Sequence, residues 1–249
     1  MNYNWNWPIL METSVDGTGT YLDSLLWGLW WTVGTSLLAW AIALLLGGVI
    51  GTLRSLPGRV ATIGNAYVEL FRNIPLLVQM FLWYFVVPEL LPESLGHWLK
   101  TLPNSSFVTA VLALGFYTSS RVAVQVTSGI FALPRGQRMA GTALGLTLPQ
   151  TYRYVILPQA LRIVIPPLTN EFVNVVKNSA VALTIGLMEL TASARSMQEF
   201  TFQVFEAFTV ATLLYLALNM IVVRLMRYIE RRTAVPGLIA VGGLSAGGK

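Results

Sequence analysis

The sequence has no cysteine, a single histidine and few charged residues. Asp, Glu, Lys and Arg together make up 11% of its 249 residues, about half the fraction of an ordinary soluble domain. Without cysteine there can be no disulfide, thiolate metal ligand or cysteine nucleophile. His97 stands alone in a polar connection, so we expect neither a metal site nor a Ser/His/Asp set.

Long apolar runs take up most of the chain. Hydrophobic residues make up 55% of it, and the mean hydropathy is +0.63. About 20 apolar residues are enough for a helix to cross a bilayer. Stretches of that order lie at 24–53, 61–88, 106–132, 167–188 and 204–228. The sequence therefore predicts an all-α membrane protein with five transmembrane helices.

The cations are distributed unevenly between the two sides of these stretches. If the N-terminus lies outside, the inner connections and the tail hold 11 of the 16 Lys and Arg residues, and the outer connections hold Lys100 and Arg195. Cations are enriched on the cytoplasmic side of membrane proteins. We therefore expect residues 1–23 to form a periplasmic segment and residues 233–249 a flexible cytoplasmic tail. With this placement, the net charge of +5 indicates membrane lipid as a partner, and not nucleic acid.

The connection at residues 136–158 is long, basic and partly helical, with the sequence GQRMAGTALGLTLPQTYRYVILP. A short amphipathic helix is expected to begin at Gly136. Its apolar side would consist of Met139, Ala140, Ala143 and Leu144. Gly145 should end this helix with a positive φ angle. A second helical piece should end at Leu157–Pro158.

The pattern alone leaves two uses of this connection open. A compact knob of helix, glycine and helix suits insertion into a groove of a partner protein. Alternatively, the helix lies on the membrane surface, with Arg138 and Arg153 on lipid phosphates.

The same connection resembles the EAA loop of bacterial ABC importer permeases, whose pattern is Glu-Ala-Ala, three residues, Gly, nine residues, then Ile-x-Leu-Pro. Four positions match: Ala140, Gly145, Leu157 and Pro158. Three positions differ, because Met139 stands in place of Glu, Gly141 in place of the second Ala and Val155 in place of Ile. The spacing and the glycine are kept, so the knob shape should be kept as well.

Further stretches resemble the polar amino-acid uptake permeases, above all the permease subunits of glutamate/aspartate importers. They are VELFRNIPLLVQMFLWYFVVPELLP, FYTSSRVAVQVTSGIFALPRGQ and VKNSAVALTIGLMEL. The resemblance covers nearly the whole chain, although Val124 and Thr127 stand where many relatives carry Glu and Arg. It implies the type I ABC importer (MetI-like) fold over a transmembrane permease domain, residues 24–232, with a cytoplasmic coupling helix. The implied function is import of acidic amino acids across the bacterial inner membrane by alternating access.

The resemblance also implies partners. They would be a second permease subunit in a heterodimer, two ATP-binding cassette ATPases and a periplasmic substrate-binding protein. ATP and Mg²⁺ would be bound by the ATPases, and this chain would hold no cofactor. Contacts to the ATPases are assigned to Gly136, Arg138, Met139, Ala140, Gly141, Ala143, Leu144, Gly145, Leu157 and Pro158.

Three cations fall inside predicted spans: Arg72, Arg121 and Lys177. Inserting each one costs at least ~2.5–3.5 kcal/mol, so each should face a cavity, a carboxylate or a subunit interface. Glu69 lies three residues before Arg72 and can pair with it on one helix. Arg121 has no obvious local partner. It could bind a substrate carboxylate through bidentate hydrogen bonds, or form an ion pair across the interface between permease subunits.

These three cations and four amides at similar depth form the predicted substrate site. Lys177 has either a binding role or a structural and gating role. The four amides are Gln79, Gln125, Asn174 and Asn178. They either line a cavity or form interhelical hydrogen bonds. Pro75 follows Arg72 closely, and its missing N–H should break the span there.

The tail sequence GLSAGGK, residues 243–249, fits Gly-x4-Gly-Lys. It lacks the Ser or Thr, the strand and the helix of an ATP-binding loop. We therefore expect no ATP site and no enzyme activity in this chain. One function of another class stays open, namely an oligomeric secondary carrier or channel for amino acids that works without ATPase partners.

Overall fold

The computed structural model of the protein describes residues 3–15, 17 and 19–233. These residues form helices and no β-strand, so the all-α class is confirmed. A short 3₁₀ helix at Trp7–Met11 comes first. The helices that follow are α1 (Tyr21–Arg54), α2 (Arg59–Asn73), α3 (Leu76–Leu90), α4 (Glu93–Thr101), α5 (Ser105–Phe131), α6 (Arg135–Ala143), α7 (Leu148–Ile185), α8 (Leu190–Thr201) and α9 (Val204–Thr233). The predicted tail, residues 233–249, begins at the last residue of α9, and the rest of it, with the GLSAGGK sequence, lies outside the described residues.

Three of these helices are long and apolar enough to cross a membrane unaided, namely α1, α5 and α9. Two bent pairs reach the same length and hydropathy together. The α2–α3 pair is bent by 100° and the α7–α8 pair by 51°. The predicted number of five spans therefore holds only if each bent pair crosses the membrane as one span.

The helix end predicted at Leu157–Pro158 is wrong, because α7 continues through Pro158 and through Pro166–Pro167. The apolar stretch predicted at 167–188 is the second half of this helix and the three residues after it. A π-helical turn at Tyr152–Ile156 lies directly before Pro158. Its wider hydrogen-bond spacing gives room for a residue that has no N–H to donate. In α3, a π turn at Leu82–Val86 precedes Pro88 in the same way.

Glycines allow α1 and α5 to lie in direct backbone contact. A Cβ atom at Gly47 would stand 2.7 Å from the Ser119 carbonyl oxygen, and one at Gly51 would stand 2.6 Å from that of Ala123. Side chains at these positions would force the two helices apart. Small residues at membrane helix interfaces allow such close approach. Because the contacts advance in the same direction along both helices, α1 and α5 are parallel.

The two ends of the bundle hold different parts of the chain. At one end the N-terminal segment meets the start of α9, where the Asn6 N–H donates to Glu206 Oε1 at 2.7 Å. Glu189, between α7 and α8, is fully buried at this end and caps α8 by accepting from the N–H of Ala192 at 2.8 Å. The α1–α2 turn and α6 lie at the other end, where Ser55 contacts the start of α7.

Candidate functional site

The connection at 136–158 forms the predicted knob. Helix α6 ends where Gly145 takes a φ angle of +77°. The N–H of Leu146 then donates to the carbonyl of Gly141 at 3.1 Å, which closes a Schellman-type helix end. A non-glycine residue would be strained at this position, so the helix stop read from the sequence is the one observed.

The apolar side of α6 is uncovered in this chain. Met139 is 70% exposed and Leu144 is 79% exposed, and Ala140 and Ala143 are exposed beside them. The opposite side of α6 lies against α7, where a Cβ atom at Gly141 would stand 2.7 Å from the Thr151 side chain. The knob is therefore a compact unit that presents apolar side chains outward.

Sequence reasoning missed Tyr152, which holds the knob to α1. Its ring is buried with 5% exposed. Its hydroxyl accepts a hydrogen bond from Arg138 Nη2 at 3.0 Å and donates to the Ser55 carbonyl at 3.1 Å. The sequence held a signal for it, because apolar residues recur every four positions from Tyr152 through Ile156 to Ala160.

Arg121 has a partner within the chain, contrary to expectation. Its Nε donates to Glu171 Oε2 at 2.8 Å, which joins α5 to α7. The Glu171 side chain is 8% exposed and that of Arg121 is 39% exposed. The arginine Cζ also lies 5.9 Å from the centre of the Tyr117 ring. The pairing was not foreseen because 50 residues separate the two partners.

Three of the predicted site residues share helix faces with this ion pair. Gln125 lies one turn after Arg121, and Asn174 and Asn178 follow Glu171 at spacings of three and seven residues. All three amides are partly buried. In the described part of the chain none of them forms a side-chain hydrogen bond. The ion pair is therefore flanked by amides with free hydrogen-bonding capacity.

Arg72 and Lys177 are placed differently from the pair. Both are exposed, and Arg72 lies in the last turn of α2. The expected ion pair between Glu69 and Arg72 is absent from the described residues. The helix ends one residue after Arg72, and both side chains of the expected pair extend outward.

Gln79 supports the break in the second span. Pro75 has no N–H, which frees the carbonyl of Phe71 one turn earlier. The Gln79 Nε2 donates to that carbonyl at 2.7 Å and to the carbonyl of Ile74 at 3.0 Å. Gln79 is 2% exposed. Its amide nitrogen therefore stabilises the bend, and its role in a substrate site stays a prediction.

Comparison with known proteins places these features in a family. Residues 43–235 match the family described as "Binding-protein-dependent transport system inner membrane component". The glutamate/aspartate import permease protein GltJ of Escherichia coli K12 is 46% identical over 241 residues, which cover 95% of this chain and 98% of that one. The probable glutamine ABC transporter permease protein GlnM of Bacillus subtilis is 33% identical over 218 residues, with 87% and 94% covered.

A solved structure agrees with the sequence relatives. The crystal structure of an amino acid ABC transporter with histidines aligns with a TM-score of 0.72 at 31% identity, covering 85% of this chain and 95% of that one. The predicted type I importer (MetI-like) fold is thereby confirmed. The family match extends over the ion pair, the bend at Pro75 and the knob. The chain thus belongs to the inner membrane components of binding-protein-dependent transport systems.

Proposed function

We propose that this chain is a permease subunit of an ABC importer for acidic amino acids, glutamate or aspartate, and that Arg121 binds the substrate carboxylate. The proposed specificity rests on how the Arg121 guanidinium is held by Glu171. Glu171 engages its Nε at 2.8 Å, and the arginine side chain stays 39% exposed beside the Tyr117 ring. A guanidinium held in this way has its outer edge available for a carboxylate.

The flanking groups support this role. Gln125, Asn174 and Asn178 supply donors and acceptors around Arg121 without using them on other described side chains. Small-molecule sites commonly combine one charged group with a few convergent polar groups. Lys177 and Arg72 lie outside this cluster, and we assign them to the lining of the access path.

The knob supports a separate motor. Its exposed Met139 and Leu144 form an apolar surface suited to a groove in a partner. The proposed partner is an ATP-binding cassette ATPase in the cytoplasm. The complex would contain two such ATPases, a second permease subunit and a periplasmic binding protein. The ATPases would bind ATP and Mg²⁺, and their closure would move the knob and switch access to the Arg121 site.

The distribution of cations between the two ends of the bundle supports an orientation of the chain in the membrane. The knob end carries Arg54, Arg59, Arg135, Arg138 and Arg153. The connections at the opposite end carry Lys100 and Arg195. Cations favour the cytoplasmic face, so the knob and the end of α9 would be cytoplasmic and the N-terminal segment periplasmic.

The specificity test uses the complete complex in proteoliposomes with labelled glutamate and glutamine. The double variant Arg121→Gln/Glu171→Gln removes both charges together, so that no buried carboxylate is left unpaired. We expect assembly to be unchanged and glutamate uptake to fall by at least about tenfold, the cost of a lost charged hydrogen bond. Uptake of glutamine should be affected less.

A matched control and a contrary result complete this test. Arg195→Gln removes an exposed cation that pairs with Glu199, and it should leave glutamate uptake unchanged. Glutamate uptake at the wild-type rate in the Arg121 double variant would rule out the carboxylate-binding role. Transport by the purified chain alone, without an ATPase, would instead favour the oligomeric carrier or channel.

A further inference from the structure

Tyr152 occupies a junction between three parts of the fold. It lies on the π turn of α7, contacts Arg138 on α6 and reaches Ser55 directly after α1. The Ser55 Oγ also lies 3.2 Å from the tyrosine hydroxyl. The Ser55 Oγ gives its single hydrogen chiefly to the Thr52 carbonyl at 2.6 Å, so the Tyr152 hydroxyl is held by one bond that it donates and one that it accepts from Arg138. Because the ring is buried, water cannot replace a lost partner without opening the junction.

The contacts on either side of this junction are rigid. On the knob side, Gly141 lies so close to Thr151 that a Cβ atom would clash, which locks α6 to the start of α7. On the other side, Gly47 and Gly51 of α1 lie on the backbone of α5. A displacement of the knob would therefore reach α1 through Tyr152, and would reach α5, which carries Arg121, through α1.

We propose that Tyr152 is a positioning residue that couples the knob to the α1–α2 turn, so that both move as one unit during transport. This inference rests on the proposed function, because it needs an ATPase at the knob. Tyr152 is buried, in contrast to the exposed Met139 and Leu144 of the knob. It acts through its hydroxyl, which accepts a hydrogen bond from Arg138 of the knob and donates one to the Ser55 carbonyl.

The test replaces Tyr152 with Phe, which keeps the ring and removes only the hydroxyl. In the complete complex we expect unchanged copurification of the ATPases and unchanged basal ATP hydrolysis. Stimulation of hydrolysis by the loaded binding protein, and uptake per ATP hydrolysed, should each fall by at least about fivefold, the lower range of coupling effects between sites. A purely structural role would lower the yield and the unfolding temperature instead.

Tyr154 provides the matched control. It lies on the same π turn and is 64% exposed, and its hydroxyl has no partner within the described residues. Tyr154→Phe should therefore behave as wild type in every assay.

Each outcome counts for or against the coupling role. Wild-type stimulation and uptake per ATP in Tyr152→Phe would overturn it, and so would a loss confined to assembly or stability. The assays are performed with whichever amino acid the wild-type complex transports, so an error in the acidic specificity leaves this test intact. Failure of any ATPase to associate with the wild-type chain would refute the proposed function itself.

Discussion

The Nε of Arg121 on α5 lies 2.8 Å from Oε2 of Glu171 on α7, within a single chain. The pair joins two helices that are far apart in sequence, and it also fixes the direction of the guanidinium. Arg121 therefore has a structural role and a proposed binding role at once. Variants that keep the ion pair but exchange its members can separate the two.

Exchange of the charges should restore stability without restoring transport. Arg121→Glu places two carboxylates together and should destabilise the complex by about 2 kcal/mol, less than the ~3–5 kcal/mol of a fully buried pair because the arginine is partly exposed. Adding Glu171→Arg should recover most of this loss while glutamate uptake stays low. Thermal unfolding in detergent measures the first effect and labelled uptake the second.

The exposed ion pair between Arg195 and Glu199 on α8 is the control for this exchange. Arg195 and Glu199 are 59% and 51% exposed, so Arg195→Glu should change stability by no more than about 0.5 kcal/mol. An equal loss for Arg121→Glu and Arg195→Glu would contradict a structural role of the buried pair.

Gly145 should be required for ATPase docking. Its φ angle of +77° costs an L-residue about 1–2 kcal/mol, so Gly145→Ala should distort the knob and lower the amount of ATPase that copurifies. Gly145→Asn, which tolerates this conformation better, should be milder. Gly48→Ala on α1 is the control, since its Cβ atom would meet nothing within 4 Å and it lies outside the residues assigned to the ATPase contact. Equal copurification for all three variants would reject the docking role.

Loss of the Gln79 amide should destabilise the bend at Pro75. Gln79→Leu leaves the carbonyls of Phe71 and Ile74 without their donor, and an unsatisfied buried polar group costs about 1–3 kcal/mol. Thermal unfolding should show the loss. Gln125→Leu removes an amide that has no bond to a described side chain, so its midpoint should stay near that of wild type, and a larger loss there than at Gln79 would refute this account.

The contact between α1 and α8 should not tolerate a side chain at Gly28. A Cβ atom there would lie 2.4 Å from Ser193 Oγ and 2.9 Å from the Leu190 Cα. Because the second atom belongs to the backbone, Gly28→Ala must shift α8, at a cost of about 1–3 kcal/mol. Gly48→Ala on the same helix meets nothing within 4 Å and should be neutral or slightly stabilising. Unfolding midpoints that agree between the two variants would argue against the tight contact.

Local signals predicted the helices and the knob well. Apolar runs located α1, α5 and α9 to within a few residues, except that α9 extends to Thr233, because bilayer-length hydrophobicity does not depend on distant contacts. The stop at Gly145 was equally readable, since only glycine adopts that conformation freely.

What the sequence did not disclose depends on tertiary contacts. The Arg121–Glu171 pair and the Tyr152–Ser55 bond join residues that lie 50 and 97 positions apart, and no spacing rule links such positions. Gln79 was assigned to a substrate cavity because a buried amide can hydrogen-bond either a ligand or a free backbone carbonyl. Its bonds to Phe71 and Ile74 depend on the bend at Pro75, which the sequence does not specify in three dimensions. Pro158 suggested a helix end because the π turn that accommodates it has no pattern in sequence.

That π turn also sets the rotation of α7. Tyr152 lies at its start and Glu171 lies downstream in regular helix, so the extra residue that a π turn contains fixes the angle between the two side chains. If the same residues formed ordinary helix there, everything after the turn would be rotated by about 100°. The Glu171 carboxylate would then point away from α5 while Tyr152 stayed in place, so the π turn keeps these two side chains in phase.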